Sequence, residues 1–136
     1  MNGPRILIIE DDPDVVLLLE DILMEGGYHT DIWTRCTGAV EHIRQTQPQV
    51  VLLDLWLEQR GDGWTVLDAL REDAATAQLP VIICTADRQA VEAEAARGID
   101  AHCLVLHKPF DLDTLLAIVQ AALQGDAALR YREAGA

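Results

Sequence analysis

The sequence predicts an α/β domain built on a doubly wound parallel sheet with helices on both faces. Three observations carry this. Short apolar runs such as Ile6 to Ile9, Val50 to Leu53 and Val81 to Cys84 alternate with longer segments patterned at helical spacing. The connections between successive runs are too long for hairpins, so the strands pair in parallel through right-handed crossovers. Half of the 136 residues are hydrophobic but only 4% are aromatic, so the core is built from Val, Leu, Ile and Ala, the mix with which helices pack on a sheet. Five strands and five helices in three layers are expected, and a chain of this size buries roughly two thirds of its unfolded surface without needing staples.

Taken in order, Arg5 to Ile9 is the first strand and runs into Glu10-Asp11-Asp12 and Pro13. Asp12 is a candidate N-cap, and Pro13 suits the first helical position. Val15, Leu18, Leu19, Ile22 and Leu23 recur on one helical face, and Gly26-Gly27 stops the helix. Tyr28 to Trp33 is predicted as the second strand, Gly38 to Thr46 as the second helix, and Val50 to Leu53 as the third strand, ending at Asp54. Leu55 to Gly63 reads as a loop, after which Trp64, Val66, Leu67, Ala69 and Leu70 mark a helix ending near Asp73. Pro80 introduces the fourth strand, Val81 to Thr85; Arg88 to Arg97 is the fourth helix, closed by Gly98; and Cys103 to Leu106 is the fifth strand. Asp111 caps a last helix over Leu112 to Leu123. Residues 1–124 are thus assigned to one domain and residues 125–136 to a C-terminal tail that continues the last helix as a frayed extension. No repeat, low-complexity segment or linker to an output domain is legible, so the chain is expected to end with this domain.

Ten Lys and Arg against 23 Asp and Glu give a formal charge of -13, which repels phosphate backbones and anionic membranes. Direct nucleic-acid binding and membrane association are therefore not expected. No apolar stretch reaches the roughly 18 residues needed to span a bilayer, and a cytoplasmic location is expected. Cys36, Cys84 and Cys103 lack metal-ligand spacing and read as reduced core thiols. His29, His42, His102 and His107 are scattered without a catalytic motif and read as surface or strand-end residues, so no hydrolase triad is proposed.

In an open parallel sheet, ligands sit beyond the carboxyl ends of the strands, where the strand order changes direction. The residues at those ends are Glu10, Asp11 and Asp12, then Asp54, Thr85 and Lys108. Carboxylates packed together repel unless a cation neutralises them, and hard oxygen donors suit Mg²⁺. A carboxylate can attack phosphorus and form an acyl phosphate, which makes Asp54 the candidate nucleophile. Lys108 and the Thr85 hydroxyl would stabilise the transferred phosphoryl group, and Ala86 leaves room for a donor. Taken singly, each residue has a plainer role: Asp12 is foremost a cap, and a Thr or Lys at a strand end is ordinarily solvated surface. Their convergence at one edge is what favours chemistry.

The segments Ile6-Leu7-Ile8-Ile9-Glu10-Asp11-Asp12, Val51-Leu52-Leu53-Asp54-Leu55, Pro80-Val81-Ile82-Ile83-Cys84-Thr85-Ala86 and Lys108-Pro109-Phe110 resemble the receiver domain of bacterial response regulators, over about Arg5 to Leu123. The resemblance implies a flavodoxin-like sandwich and a Mg²⁺ site made by Glu10, Asp11, Asp54 and the backbone carbonyl of Trp56. It further implies phosphorylation of Asp54 by a sensor histidine kinase or phosphotransfer protein, with Thr85 and Lys108 reading the phosphoryl group, and a cis Lys108-Pro109 bond. Such a domain is a phosphorelay component rather than an enzyme, although it promotes its own Mg²⁺-dependent phosphorylation and dephosphorylation. Signalling would run to a downstream protein target, with homodimer formation on phosphorylation left open.

The chain departs from the family pattern at Glu58, where Pro is usual, in a longer loop to Gly63, in a shorter Arg88 to Gly98 segment, in a longer Gly98 to Lys108 segment, and at Val105, where many receivers carry a switching Tyr or Phe. These departures leave a phosphorylation-independent interaction module of the same fold as the alternative. An aspartate-nucleophile phosphatase would need a second Asp where Trp56 stands.

Overall fold

A computed structural model describes residues 3–57, 62–86, 89, 92, 102–125 and 133–134. Its elements are β1 (Arg5–Ile9), α1 (Pro13–Glu25), β2 (His29–Trp33), α2 (Ala39–Thr46), β3 (Val50–Asp54), α3 (Asp62–Glu72), β4 (Val81–Thr85), β5 (Cys103–His107), α4 (Leu112–Gln124) and β6 (Glu133–Ala134). The strands lie in the order β2-β1-β3-β4-β5-β6, and every neighbouring pair is parallel. The chain leaves β1 toward β2 and returns on the other side as β3, so the strand order reverses between β1 and β3, the switch point where a ligand crevice forms.

Side chains alternate across the pleat, and the two cores follow from that alternation. Leu7, Ile9, Val51, Leu53, Val81 and Ile83 pack under α2 and α3 against Ile43, Val66, Leu67 and Leu70. Their neighbours Ile6, Ile8, Val50, Leu52, Ile82 and Leu104 pack under α1 and α4 against Leu19, Leu23, Leu115 and Val119. Burial of each such aliphatic side chain contributes about 1.5–3 kcal/mol before entropy is counted. Strands covered on both faces must be continuously apolar, which is why β3 and β4 carry no polar residue before Asp54 and Thr85.

Several expectations are corrected. On α1 the core face is Val16, Leu19, Ile22 and Leu23, whereas Leu18 is 52% exposed. The helix is rotated about one residue from the apolar pattern because its packing against α4 and β2 chooses the buried stripe. α3 begins at Asp62 rather than after Gly63. The last helix does not fray into the tail: Gly125, at φ +67°, closes it in a left-handed cap with its N–H toward Ala121 and Ala122, and Glu133–Ala134 instead adds a short sixth strand beside β5. The helix expected over Arg88 to Arg97 lies outside the described residues except for Gln89 and Glu92, which are both helical. His107 is a strand-end residue as expected but is buried, while His42 stacks on Trp33 and stands 2.6 Å from an Asp31 oxygen. Cys36, Cys84 and Cys103 form no disulfide, and burial pushes the Cys84 thiol up to about 12, so it stays protonated.

Candidate functional site

The parallel register carries the ends of β1, β3, β4 and β5 to one edge of the sheet. Ile9 faces Leu53, Asp54 faces Cys84, and Thr85 faces His107. Glu10 follows β1 directly and is 2% exposed. Its amide donates to the Trp33 carbonyl at 3.1 Å, and its Oε2 accepts the Asp12 N–H at 3.3 Å. Asp12 in turn caps α1 by accepting the Asp14 N–H at 2.9 Å, so its expected cap role holds. Asp11, between them, is exposed but lines the same cavity as Glu10.

Asp54 ends β3 and is 7% exposed, with Oδ1 accepting the Trp56 N–H at 3.1 Å. Lys108 is tied to β4 by its N–H to the Thr85 carbonyl at 2.9 Å, and its peptide bond to Pro109 is cis, as the resemblance implied. Its ammonium donates to Glu10 Oε1 at 3.0 Å and stands 3.7 Å from Asp54 Oδ1. One cation therefore bridges two buried acids. Glu10, Asp11 and Asp54 each offer a carboxylate oxygen within 4.8 Å of the others.

The electrostatics follow from this crowding. Burial, then the hydrogen bond and charge of Glu10, push the Asp54 carboxyl up to about 7, against the lowering pull of Lys108 and the Trp56 amide. Desolvation also lifts Asp11, with the charges of Glu10 and Asp12 adding to it. Burial alone would lower the Lys108 ammonium, but the charges of Asp54 and Glu10 together outweigh it and hold it above the ordinary lysine range. Asp54 and Asp11 are thus easier to ionise with a further cation nearby.

Over the acids opens a cavity of about 670 Å³, lined among the described residues by Glu10, Asp11, Asp54 and Lys108 together with Trp56, Ala86 and Gln89. Thr85 is 3% exposed and is not part of the cavity wall, so its hydroxyl must turn to reach a group bound there. The half-exposed Trp56 lines the cavity, and Gln89, which sequence reasoning missed, lines it too, because nothing local marks which side chains face a cavity.

Gly63 was also missed. Its N–H donates to the Leu55 carbonyl at 3.0 Å, and a Cβ there would lie 2.5 Å from the Asp54 carbonyl oxygen and 2.6 Å from the Leu55 Cα. The start of α3 thus presses backbone to backbone on the strand end that carries Asp54. Gly63→Ala should force that turn apart and destabilise the fold by about 1–3 kcal/mol. The check is urea unfolding, in which the midpoint falls at unchanged slope.

The sequence matches the family model described as the response regulator receiver domain over residues 6–120. The chain belongs to that family. The receiver domain is 38% identical over 128 residues to the DNA-binding dual master transcriptional regulator RpaA of Synechocystis, an alignment spanning 89% of this chain and 49% of that protein. It is 33% identical to protein Rrf1 of Nitratidesulfovibrio vulgaris over 88% of this chain and 82% of that one. Against RpaA it spans about half the relative's length. Among solved structures, the receiver domain of NtrX from Brucella abortus superposes with a TM-score of 0.74 at 29% identity, over 88% of this chain and 98% of that one. The signal receiver domain of a signal transduction histidine kinase from Syntrophus aciditrophicus gives a TM-score of 0.79 at 25% identity, over 91% and 92%. This chain is accordingly the receiver domain of a two-component response regulator and a phosphorelay component, of the kind that interacts with histidine kinases or phosphotransfer proteins. At the position where many receivers carry an aromatic switch, Val105 is buried in β5.

Proposed function

We propose that Asp54 is the phosphoacceptor, that Glu10, Asp11 and Asp54 with the Trp56 backbone carbonyl hold Mg²⁺, and that Lys108 and Thr85 bind the transferred phosphoryl group. The single observation that carries this reading is the Lys108 ammonium standing between buried Glu10 and Asp54 on the wall of an open cavity. The donor set fits the ion, since three hard carboxylates lie within 4.8 Å of one another and leave further positions to water. When bound, Mg²⁺ supplies positive charge that offsets the acids and the phosphoryl oxygens.

The chain's own residues do the rest. Asp54, held by the Trp56 N–H, presents a carboxylate oxygen to phosphorus; the O–P bond forms as the bond to the donor breaks, and the electron pair leaves with the donor's atom. Lys108 places fixed charge where phosphoryl oxygens arrive, and Thr85 turns its hydroxyl toward them. Incubation with acetyl phosphate and Mg²⁺ should add one phosphate by intact mass, and omission of the metal should prevent it.

A charge of -13 favours protein partners, a cognate histidine kinase or phosphotransfer protein upstream and a protein target downstream, over direct contact with nucleic acid, even though RpaA, about twice this chain's length, is named as DNA-binding. Homodimer formation on phosphorylation is a further possibility that sedimentation of the phosphorylated protein would test. Among the described residues no helix is long and apolar enough to cross a membrane.

The lifetime of the acyl phosphate follows from the same wall. Hydrolysis needs a water in line with the Asp54 to phosphorus bond, and the Trp56 indole, 47% exposed beside that approach, accepts no proton and shields with its bulk. Trp56→Asn should speed decay about tenfold, or about 1.4 kcal/mol of barrier. A decay time course in excess Mg²⁺ after donor removal measures it, and equal or slower decay would discard the shielding argument.

A further inference from the structure

We infer that His42, stacked on Trp33, is a positioning residue for Glu10 and sets how strongly the acidic site prefers Mg²⁺ over the larger Ca²⁺. The inference rests on the reading of Glu10 as a metal ligand and deepens it. β1 keeps register with β3 only as far as Ile9 opposite Leu53, and the next amide, that of Glu10, donates to the Trp33 carbonyl at 3.1 Å. Trp33 is the last residue of β2, the outermost strand on that side of the sheet, whose residues are exposed or only partly buried. Where the end of β2 sits therefore decides where the Glu10 backbone sits.

A clamp of side chains fixes that strand end. The Trp33 indole N–H donates to the Thr37 carbonyl at 3.0 Å, the Arg35 guanidinium stands 4.5 Å over the indole, and the His42 ring stacks on it with centroids 4.5 Å apart and planes inclined by 23°. Gly38, at φ +80°, brings backbone against the same ring, since a Cβ there would lie 2.9 Å from Trp33 Cζ2. His42 belongs to α2 and holds β2 a second time, its Nε2 standing 2.6 Å from Asp31 Oδ2, while Asp31 Oδ1 accepts the Ile32 N–H at 2.9 Å. One side chain thus ties α2 to two residues of an edge strand. None of Asp31, Trp33, Arg35, Gly38 and His42 lines the cavity over the acids, so the clamp acts on a bound ion through the Trp33 carbonyl and the Glu10 backbone.

Rigidity at Glu10 discriminates between ions of the same charge. Mg²⁺ requires nearly octahedral oxygens at about 2.0–2.1 Å, whereas Ca²⁺ accepts about six to eight oxygens at about 2.3–2.6 Å in looser arrangements. A strand end that wanders spreads the positions of the Glu10 carboxylate relative to Asp11 and Asp54. That spread costs the smaller, stricter ion more.

The test is calorimetric titration with Mg²⁺ and with Ca²⁺ of the parent chain, His42→Ala, His42→Phe, Trp33→Leu, and His42→Ala combined with Trp33→Leu. The preference for Mg²⁺, taken as the ratio of the two dissociation constants, should fall about fivefold in His42→Ala and return toward the parent value in His42→Phe, which restores an aromatic face. Trp33→Leu should give a similar fall and the double variant no further one, because both substitutions break the same clamp. In metal-free His42→Ala the Glu10 amide should exchange with deuterium about tenfold faster, beyond any change shared by the central strands, a local effect that general destabilisation does not produce. Taking the ratio of constants removes changes that act on both ions alike. A ratio within twofold of the parent in whichever of His42→Ala and Trp33→Leu folds, additive falls in the double variant, or a His42→Phe value no better than that of His42→Ala overturns the inference while leaving the metal site in place. A folded parent chain that binds neither ion overturns both.

Discussion

Asp54→Asn is expected to take up no phosphate from acetyl phosphate in Mg²⁺, under conditions where the parent chain gains one per molecule. The amide has nearly the shape of the carboxylate and still accepts the Trp56 N–H, but it carries no charge and is not nucleophilic toward phosphorus. No other described carboxylate shares its setting. Glu10 is buried but already holds the Lys108 ammonium at 3.0 Å and the Asp12 amide, and Asp11 is exposed on the rim. Loss of labelling would not reflect unfolding, since the substitution removes a buried charge whose desolvation raises its pKa to about 7, and Lys108 keeps Glu10 as its partner. The thermal midpoint of the variant should therefore not fall. Intact mass with peptide mapping decides the matter: a phosphate gained at another residue would make the assignment wrong.

The second large effect concerns metal binding. Asp11→Ala removes one of three hard ligands and should weaken Mg²⁺ binding at least about tenfold, or about 1.4 kcal/mol. The binding should also depend on pH in a stated direction. With the metal-free Asp54 carboxyl at about 7, the ion must displace a proton below that pH, so apparent affinity should fall about tenfold between pH 8 and pH 6. The stability of the metal-free protein runs the opposite way. A carboxyl whose folded pKa is raised contributes stability that is fully present below its unfolded pKa near 3.9 and is lost as pH rises through about 7. The metal-free domain should thus lose that contribution between about pH 4 and pH 7, and Mg²⁺ should restore stability at the alkaline end. Titration of tryptophan fluorescence reads the binding, because Trp56 lies on the cavity wall, and urea midpoints with and without Mg²⁺ read the linkage. An affinity independent of pH from 8 to 6 would contradict the raised Asp54 carboxyl.

Much of the site was legible because its geometry is a consequence of chain order. In a parallel α/β sheet every strand ends at the same edge, so Glu10, Asp11, Asp54 and Lys108 need only be the residues at strand ends to be brought together, and strand ends are marked locally by where apolar runs stop. The fold class was legible for the same reason, since apolar strands and periodic helices each leave their own signature. Thr85 shows the limit of this argument. It stands at the predicted strand end, yet in this conformation its side chain is buried off the cavity wall.

What only the tertiary structure decided are features that depend on partners distant in sequence. Leu18 and Val16 are equally apolar, and packing of α1 against the sheet and α4 chose Val16 for the core. Arg71 reads as an ordinary surface residue near the end of a helix, but its guanidinium donates to the carbonyls of Thr76 at 3.2 Å, Leu79 at 2.8 Å and His102 at 3.4 Å, tying α3 to the segments that enter β4 and β5. Gly63 reads as loop punctuation, but its missing Cβ lets α3 press on the backbone of Asp54 and Leu55. The residues of a short window determine periodicity and strand ends, so the sequence by itself determined the elements, their order and the acids at the sheet edge. The buried stripe of a helix, the carbonyls an arginine can reach and the faces that wall a cavity depend on elements tens of residues away, and only the assembled sheet with its helices decided them.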